Sequence, residues 1–447
     1  MLSLCGVVMS LQQTLILPLL PELPALLDTT ADNASWLVTA TLLSGAIVTV
    51  TLSRLADMYG KRRMVLVALG VTVLGSLLGA LGQDLPLLIA ARALQGVGVS
   101  LVPIGIAMMR DELPRERLPL GIAIMSATLA VGAGAGLPLG GAIATHLDWH
   151  AIFWVTGVVG VVLLVAASWV LNESPVRTGG VFDLRGAGVL TAALTALLVA
   201  LSKGAHWGWS SPLTCGLTLL GAALLALWIP LELRTPAPLV DLRIAARPVL
   251  LLVNGAAVLT GFAMYANMLV TTLQLQLPVA TGAGLGLSMA GAGAWLAPNA
   301  IAFGLMAPVS AGVTGRVGPG STLLIGSTAM FVAYVGRAFV SDTLVQIVVG
   351  SMAVGIGTGL VYGALPTLIT RAVPVTETAS ANGLNVLLRS FGTSTASATT
   401  AAVASTATAQ VASVGYPSHA ALVVVFWLAA AAALGAAIAA VPLTRLS

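Results

Sequence analysis

A charge carried into hydrocarbon is costly and is kept only for a partner, a proton or a ligand, so ionisable side chains inside long apolar runs are the first candidates for chemistry. Glu22 lies in "LQQTLILPLLPELPALLD", Leu11 to Asp28, near Gln12 and Gln13, and is the acidic residue that falls clearly inside an apolar segment. Its carboxylate is the candidate proton binder. Arg92, in "RALQGVG", Arg92 to Gly98, needs an acid or a carbonyl nearby and is the candidate for controlling that proton. The alternative places Glu22 in an outer vestibule, pairing Arg92 or facing water. His146, Asp148 and His150 form "HLDWH", which could titrate near neutral pH or tempt a metal assignment. An interfacial turn is the preferred reading there, and no metal site is expected.

The elements that must hold these groups follow from composition. Of 447 residues, 58% are hydrophobic and 8% charged, against about 25% charged in a soluble domain. Apolar runs of about 20 residues, enough to cross a hydrocarbon core, recur almost end to end. Small Ala, Gly, Ser and Thr residues pervade them, as helix contact in lipid requires, and the ten-residue alternation of a membrane barrel is missing. The expected fold class is an all-α polytopic membrane protein. The net charge of +4 is split among short loops, so no nucleic-acid partner is expected. Cys5 and Cys215 fall in or beside apolar runs, without disulfide or metal spacing. No cleavable signal precedes the first span, which is expected to stay.

Reading apolar runs between charged or Pro/Gly breaks gives fourteen candidate helices: 4–27, 34–52, 65–81, 86–109, 119–144, 152–171, 186–202, 212–231, 249–272, 285–309, 322–340, 344–370, 384–409 and 420–440. Lys and Arg in short loops remain cytoplasmic. Most of them, from Arg54 and Lys61 to Arg371 and Arg445, fall on one face of this plan, with Lys203 and Arg337 as exceptions. Both termini are therefore expected in the cytoplasm. Trp36, Trp149, Trp207 and Trp209 lie near the other face, as an aromatic belt would. "SRLADMYG", Ser53 to Gly60, and "AGVTGRVG", Ala311 to Gly318, are both short, basic and Gly-ended. This weak repeat links two halves, and the expected plan is a six-helix bundle over 1–172, a linker with two extra transmembrane helices over 173–246, and a second six-helix bundle over 247–447. Related halves are a common plan for secondary transporters.

With these segments in place the sequence resembles the major facilitator superfamily, and within it the fourteen-helix drug:proton antiporter branch. The loop after helix 2 matches that family's G-x-L-a-D-r-x-G-r-k at Leu55, Asp57, Gly60, Lys61 and Arg62, with Ser53 and Met58 departing from it. The resemblance gives Asp57, Gly60 and Arg62 the role of a conformational latch, the carboxylate facing a helix N-terminus. Arg92 and Gln95 match R-x-x-q-G. "GAGAGLPLGG", Gly132 to Gly141, resembles the antiporter motif G-P-x-x-G-G at Gly136, Gly140 and Gly141, although the family's proline position is Leu137 and the proline stands at Pro138. "HWGWSSP", "PLVDLRI" and "NGLNVLLRSFG" also look like this branch.

The family's helix 1 commonly reads L-D-x-T-x-x-N-x-x-x-P, and here its aspartate has become Gln12. An amide can hydrogen-bond a ligand but cannot carry a proton across. The resemblance implies a proton-coupled exporter of hydrophobic or amphipathic drugs or metabolites, a monomer in a bacterial inner membrane, with protons, lipid and a small molecule as its partners and no cofactor. Carrying the superfamily's central helices onto this chain gives Gln12, Gln13, Met125, Asn254, Phe262, Tyr265, Asn267, Trp295, Asn299, Tyr362 and Asn385 as substrate contacts. The alternatives are a lipid or neutral-metabolite transporter with different or no proton coupling, an intramembrane enzyme using His146 to His150, and a transport-dead receptor. An ATP pump is disfavoured, because no Walker A motif occurs.

Overall fold

Proline and glycine set the helix ends, and short polar side chains cap them. Asp84, Asp183, Ser211, Ser288 and Ser418 each accept a hydrogen bond from a backbone N–H of the following first turn, satisfying donors that a helix start leaves open. In the computed structural model, which describes residues 1–19, 22–406, 408–411 and 414–445, the long helices are α1 (Leu2–Thr14), α2 (Trp36–Tyr59), α3 (Lys61–Leu81), α4 (Leu85–Glu112), α5 (Leu118–His146), α6 (Ala151–Val170), α7 (Leu184–Trp207), α8 (Pro212–Arg234), α9 (Pro248–Gln276), α10 (Met289–Val317), α11 (Pro319–Phe339), α12 (Leu344–Ala372), α13 (Thr378–Thr406) and α14 (His419–Ala440). Among the described residues 13 helical segments are long and apolar enough to cross a membrane. The chain is an all-α polytopic membrane protein. The remaining long helix, α13, has 29 residues but carries a Ser/Thr-rich second half, "TSTASATTAAVAST", that lowers its hydropathy.

Two boundaries differ from expectation for clear reasons. The first helix does not run through 4–27: it stops at Thr14, a 3-10 turn follows at Leu17–Leu19, and a short helix occupies Leu23–Leu26. Pro18 and Pro24 deprive successive turns of a backbone donor. The candidate span therefore covers Leu2–Leu19, and Glu22 lies beyond its end, exposed. Leu20 and Pro21 fall outside the described residues. At the other end of the chain, Ala409 belongs to strand β1 (Thr408–Val411), paired antiparallel with β2 (Val414–Pro417). β-branched residues and a glycine suit such a hairpin better than a continued helix.

α4 is interrupted by a 3-10 turn at Val97–Ser100, next to Pro103, which cannot donate to the carbonyl one turn earlier. Gly60 (φ 126°) joins α2 to α3, and Gly318 (φ 85°) joins α10 to α11. The two Gly-ended repeats thus build the same abrupt helix–glycine–helix turn, at backbone angles that favour glycine.

The chain divides into two compact units, Met1–Leu250 with Ile369–Leu387, and Leu251–Leu368 with Leu388–Ser447. Helices α12 and α13 pass from one to the other. In the first unit the seam of α1 with α5 is set by glycines: a Cβ at Gly132 would meet Ser10, one at Gly136 would meet Thr14 Oγ1, and one at Gly140 would meet the Leu15 carbonyl. Thr14 Oγ1 also donates to the Gly132 carbonyl at 3.0 Å. Lipid offers no hydrophobic drive for such contact, so close backbone approach supplies it. Leu52, Val65, Leu69, Leu101, Ile104 and Met125 form the core toward one end of this unit, and Leu15, Ile16, Leu37, Leu88 and Phe153 form a second cluster.

Candidate functional site

Arg92, on α4, is 1% exposed, and its partners are carbonyls and an amide. Its Nε donates to the Leu37 carbonyl at 3.1 Å, and Nη1 donates to the Gln12 carbonyl at 3.0 Å and to Gln95 Oε1 at 2.7 Å. Gln95 Nε2 and Gln12 Nε2 both donate to Ser76 Oγ, at 3.0 and 2.8 Å, and Thr156 Oγ1 reaches the same oxygen at 3.3 Å. Helices α1, α2, α3, α4 and α6 are thereby tied around one guanidinium. No carboxylate pairs with Arg92 among the described residues; the demand foreseen for an acid or a carbonyl is met by carbonyls. Arg92 Nη2 and Gln12 Oε1 are buried without a partner among the described residues. Glu22 and Arg92 are not brought together.

A second polar cluster gathers at the end of α2. Asp57 is 1% exposed; its carboxylate accepts from Ala379 N at 3.2 Å, Ser380 N at 2.8 Å and Ser380 Oγ at 2.7 Å. The acid thus sits on the positive N-terminus of α13, where aligned peptide dipoles favour an anion. Arg110, at the end of α4, donates to the Val373 and Pro374 carbonyls and to Thr378 Oγ1, just ahead of the same helix end. Lys61 pairs with Asp111, which also accepts from Ser174 Oγ. Glu173 takes the backbone N–H groups of Arg62 and Arg63 at the start of α3, while Arg62 Nη2 donates to the Ser168 carbonyl at 2.6 Å. A Cβ on Gly60 would strike that Glu173 carboxylate. Met58 is buried and contributes packing.

Nearby, burial and then the charge of Asp241 push the Glu377 carboxyl above its usual range, against a pull from Arg54 and Arg247. A raised folded-state value means that the folded protein holds the proton more tightly, so this group's contribution is favourable in acid and is lost as pH rises through the folded value. Glu377→Gln, which mimics the protonated form, is expected to raise the melting temperature at pH 8 and to leave it unchanged near pH 4. Thermal scans across that range check it, and a variant less stable at pH 8 contradicts it.

In the second unit Arg337, 1% exposed, donates to Asn267 Oδ1, to Thr271 Oγ1 at 3.0 Å and to Gln274 Oε1 at 2.9 Å, and stacks 4.6 Å from the Phe426 ring centroid. Asn267, Thr271 and Gln274 are spaced i, i+4, i+7 along α9, so one helix face presents all three. Asn267 Nδ2 continues to Ser351 Oγ at 3.1 Å and reaches Asn299 Oδ1 at 3.5 Å. Tyr362 is buried beneath Arg389, whose guanidinium lies 4.7 Å from its ring centroid, and Phe303 packs edge-on against it.

The other sequence candidates differ in exposure. Gln12, Met125, Asn254 and Asn385 are buried; Gln13, Phe262 and Tyr265 are half-buried; Trp295 is exposed at 43%. Gly136 and Gly140 face α1, whereas a Cβ at Gly141 would meet open space, and Pro138 stands inside α5 at its exposed side. Ser76, Gln95, Thr271, Gln274, Arg337 and Arg389 were not among those candidates. Of these, Gln95 was marked in the sequence by its match, with Arg92, to R-x-x-q-G, but was given no role there. In "HLDWH", Asp148 is exposed and accepts from the His150 backbone N–H and ring, which hold its carboxyl below the usual range. His150 also stacks on Trp149 and contacts the Gly82 carbonyl. No metal-ligand cluster occurs among the described residues.

A buried arginine network, a carboxylate on a helix N-terminus and glycine-built helix seams thus lie within one multi-pass membrane fold. The sequence pattern of the Major Facilitator Superfamily matches residues 2–397, and the chain belongs to that family. Its members move solutes across membranes without converting them. An uncharacterized MFS-type transporter of Mycobacterium tuberculosis is 31% identical over 265 residues, 59% of this chain and 38% of the relative, so the chain spans well under half of that protein. The Multidrug resistance protein Stp of the same organism is 26% identical over 376 residues, 83% of this chain and 69% of that one. The Tetracenomycin C resistance and export protein of Streptomyces glaucescens is 28% identical over 327 residues, 72% and 59% of the two chains. The crystal structure of the human organic anion transporter MFSD10 shares the fold alone, with a TM-score of 0.68 at 14% identity over 97% of this chain and 98% of that one.

Proposed function

We propose that this chain is a proton-coupled exporter of hydrophobic or amphipathic compounds, of the fourteen-helix drug:proton antiporter type, working by alternating access. The observation that carries the reading is the Asp57 latch: a buried carboxylate holding the N-terminus of α13 through hydrogen bonds that can break and re-form as a unit. Export and the ligand class draw support from the relatives named for multidrug resistance and for tetracenomycin C export. In this reading all fourteen long helices cross a bacterial inner membrane, with both termini cytoplasmic. The protein is a monomer of two six-helix bundles, 1–172 and 247–447, joined by a two-helix linker over 173–246. Substrate meets Gln12, Gln13, Met125, Asn254, Phe262, Tyr265, Asn267, Trp295, Asn299, Tyr362 and Asn385.

Glu22 remains the proton binder in this proposal, now at the outer mouth rather than within the span, and Arg92 acts on it through the α1 backbone that it grips. The test uses purified protein in liposomes under an imposed pH gradient, with fluorescent amphipaths as probes. Wild type is expected to move a probe only while the gradient lasts, and Glu22→Gln to slow it about tenfold, the equivalent of about 1.4 kcal/mol. Movement unaffected by collapsing the gradient defeats proton coupling. Gln12, standing where the branch carries an acid, favours the second reading, a carrier of lipids or neutral metabolites, and that outcome selects it.

A further inference from the structure

The second unit is short of acid. Asp342 is the only Asp or Glu among residues 251–368 and 388–447, and it lies at an exposed turn near His419. Neither arginine buried or half-buried in the helices of this unit, Arg337 or Arg389, can meet a carboxylate there. The two differ in what replaces it. Arg337 is enclosed by three side-chain acceptors and an aromatic face. Arg389 is half-buried, and its stacking on Tyr362 is its one side-chain interaction among the described residues. The Tyr362 hydroxyl, in turn, is buried with no partner among the described residues.

Stacking uses the flat face of a guanidinium and leaves its edge, where the N–H donors point, for a planar acceptor. An orphaned buried hydroxyl costs about 1–3 kcal/mol until something accepts from it. The backbone also brings this arginine close to α9: a Cβ at Gly261 would strike the Arg389 carbonyl and Cγ, and one at Gly392 would strike the Val258 carbonyl. The cluster therefore offers a fixed cation, a second donor and an aromatic wall from Phe303.

We propose that Arg389 and Tyr362 recognise an anionic oxygen group on the transported molecule, so that the compounds this protein handles best are amphipathic organic acids. This rests on the exporter reading and narrows its substrate class: the carboxylate takes the Arg389 fork, the Tyr362 hydroxyl donates to the same group, and the apolar body lies against the aromatic side chains.

The test measures binding of 1-pyrenebutyrate and of its methyl ester to purified full-length protein in neutral detergent. The two share one body and differ in charge. Wild type is expected to bind the acid at least about tenfold more tightly than the ester, since a hydrogen bond to a charged group is worth about 1.5–3 kcal/mol. Arg389→Gln is expected to erase that preference while binding the ester normally, which also shows that the variant folds. Arg389→Lys should restore part of it, and Tyr362→Phe should weaken the acid by about tenfold and more than it weakens the ester, because the hydroxyl donates to a charged group. An ester bound as well as the acid, binding of neither probe, or an equal loss of both in Arg389→Gln overturns the proposal. Gradient-driven movement of a cationic probe without acid preference removes this inference and leaves the exporter standing. Acid-selective, Arg389-dependent binding without gradient-driven movement does the reverse.

Discussion

Asp57→Ala is expected to cut gradient-driven transport by at least about tenfold and to lower the melting temperature by several degrees. Each hydrogen bond from a neutral donor to a buried carboxylate is worth about 1.5–3 kcal/mol, and 1.4 kcal/mol already shifts a conformational equilibrium tenfold. Alanine would leave the Ala379 and Ser380 N–H groups at the start of α13 without an acceptor, in a place that water does not fill readily. Asp57→Asn should behave almost as badly, because its amide turns a donor toward donors and removes the charge that the helix end favours. Ser380→Ala removes the hydroxyl contact and keeps both backbone bonds, so its effect should be a fraction of that of Asp57→Ala. The measurements are transport in liposomes and thermal unfolding in detergent on the three variants. A full-rate Asp57→Ala would show that these bonds do not hold a state the cycle must pass through.

The Asp57 cluster also shows what sequence could and could not deliver. Asp57 and Gly60 were readable because the loop after helix 2 resembles the family's motif at those positions, and Gly60 takes the positive φ that favours glycine. The partner was not, because Ser380 lies more than 300 positions away in sequence, and nothing near it marks a helix N-terminus that wants an anion. Hydropathy misled at the first span for a different reason. It reports how long a segment can stay in lipid, whereas Pro18 and Pro24 decide how long the backbone stays helical, and the two disagree from Thr14 onward. Glu22 moved out of the span with that break. α13 is the opposite case: its seryl and threonyl side chains return hydrogen bonds to their own helix, as Thr393 and Thr395 do, so low hydropathy coexists with an unbroken helix. Arg389 was visible in "NGLNVLLRSFG", but its solitude could be judged only once the distribution of acids was laid over the two units.

Arg92 should be the residue least able to change. Arg92→Ala leaves the Leu37 and Gln12 carbonyls and Gln95 Oε1 without their donor, and Arg92→Lys cannot serve them from one planar group. Both are expected to abolish transport and to lower the yield of folded protein. The sharper experiment keeps the arginine and supplies the acid that the family commonly places on this helix. Gln12→Glu is close in shape: Ser76 can turn its hydroxyl to donate to the new carboxylate, and the buried Gln12 Oε1, now without a partner, becomes part of a charge facing the arginine network. With Arg92 present the variant is expected to fold and to move a lipophilic cation such as ethidium faster than wild type does, in proportion to the pH gradient. In an Arg92→Ala background the same carboxylate is buried without a counter-charge, and breaking such a pair costs about 3–5 kcal/mol. The double variant should therefore be far less stable than the sum of the single changes. Thermal unfolding of all four proteins gives the coupling energy directly. Additive effects would mean that position 12 and Arg92 do not sense each other's charge, and would remove the proposed route from Arg92 to a proton through α1.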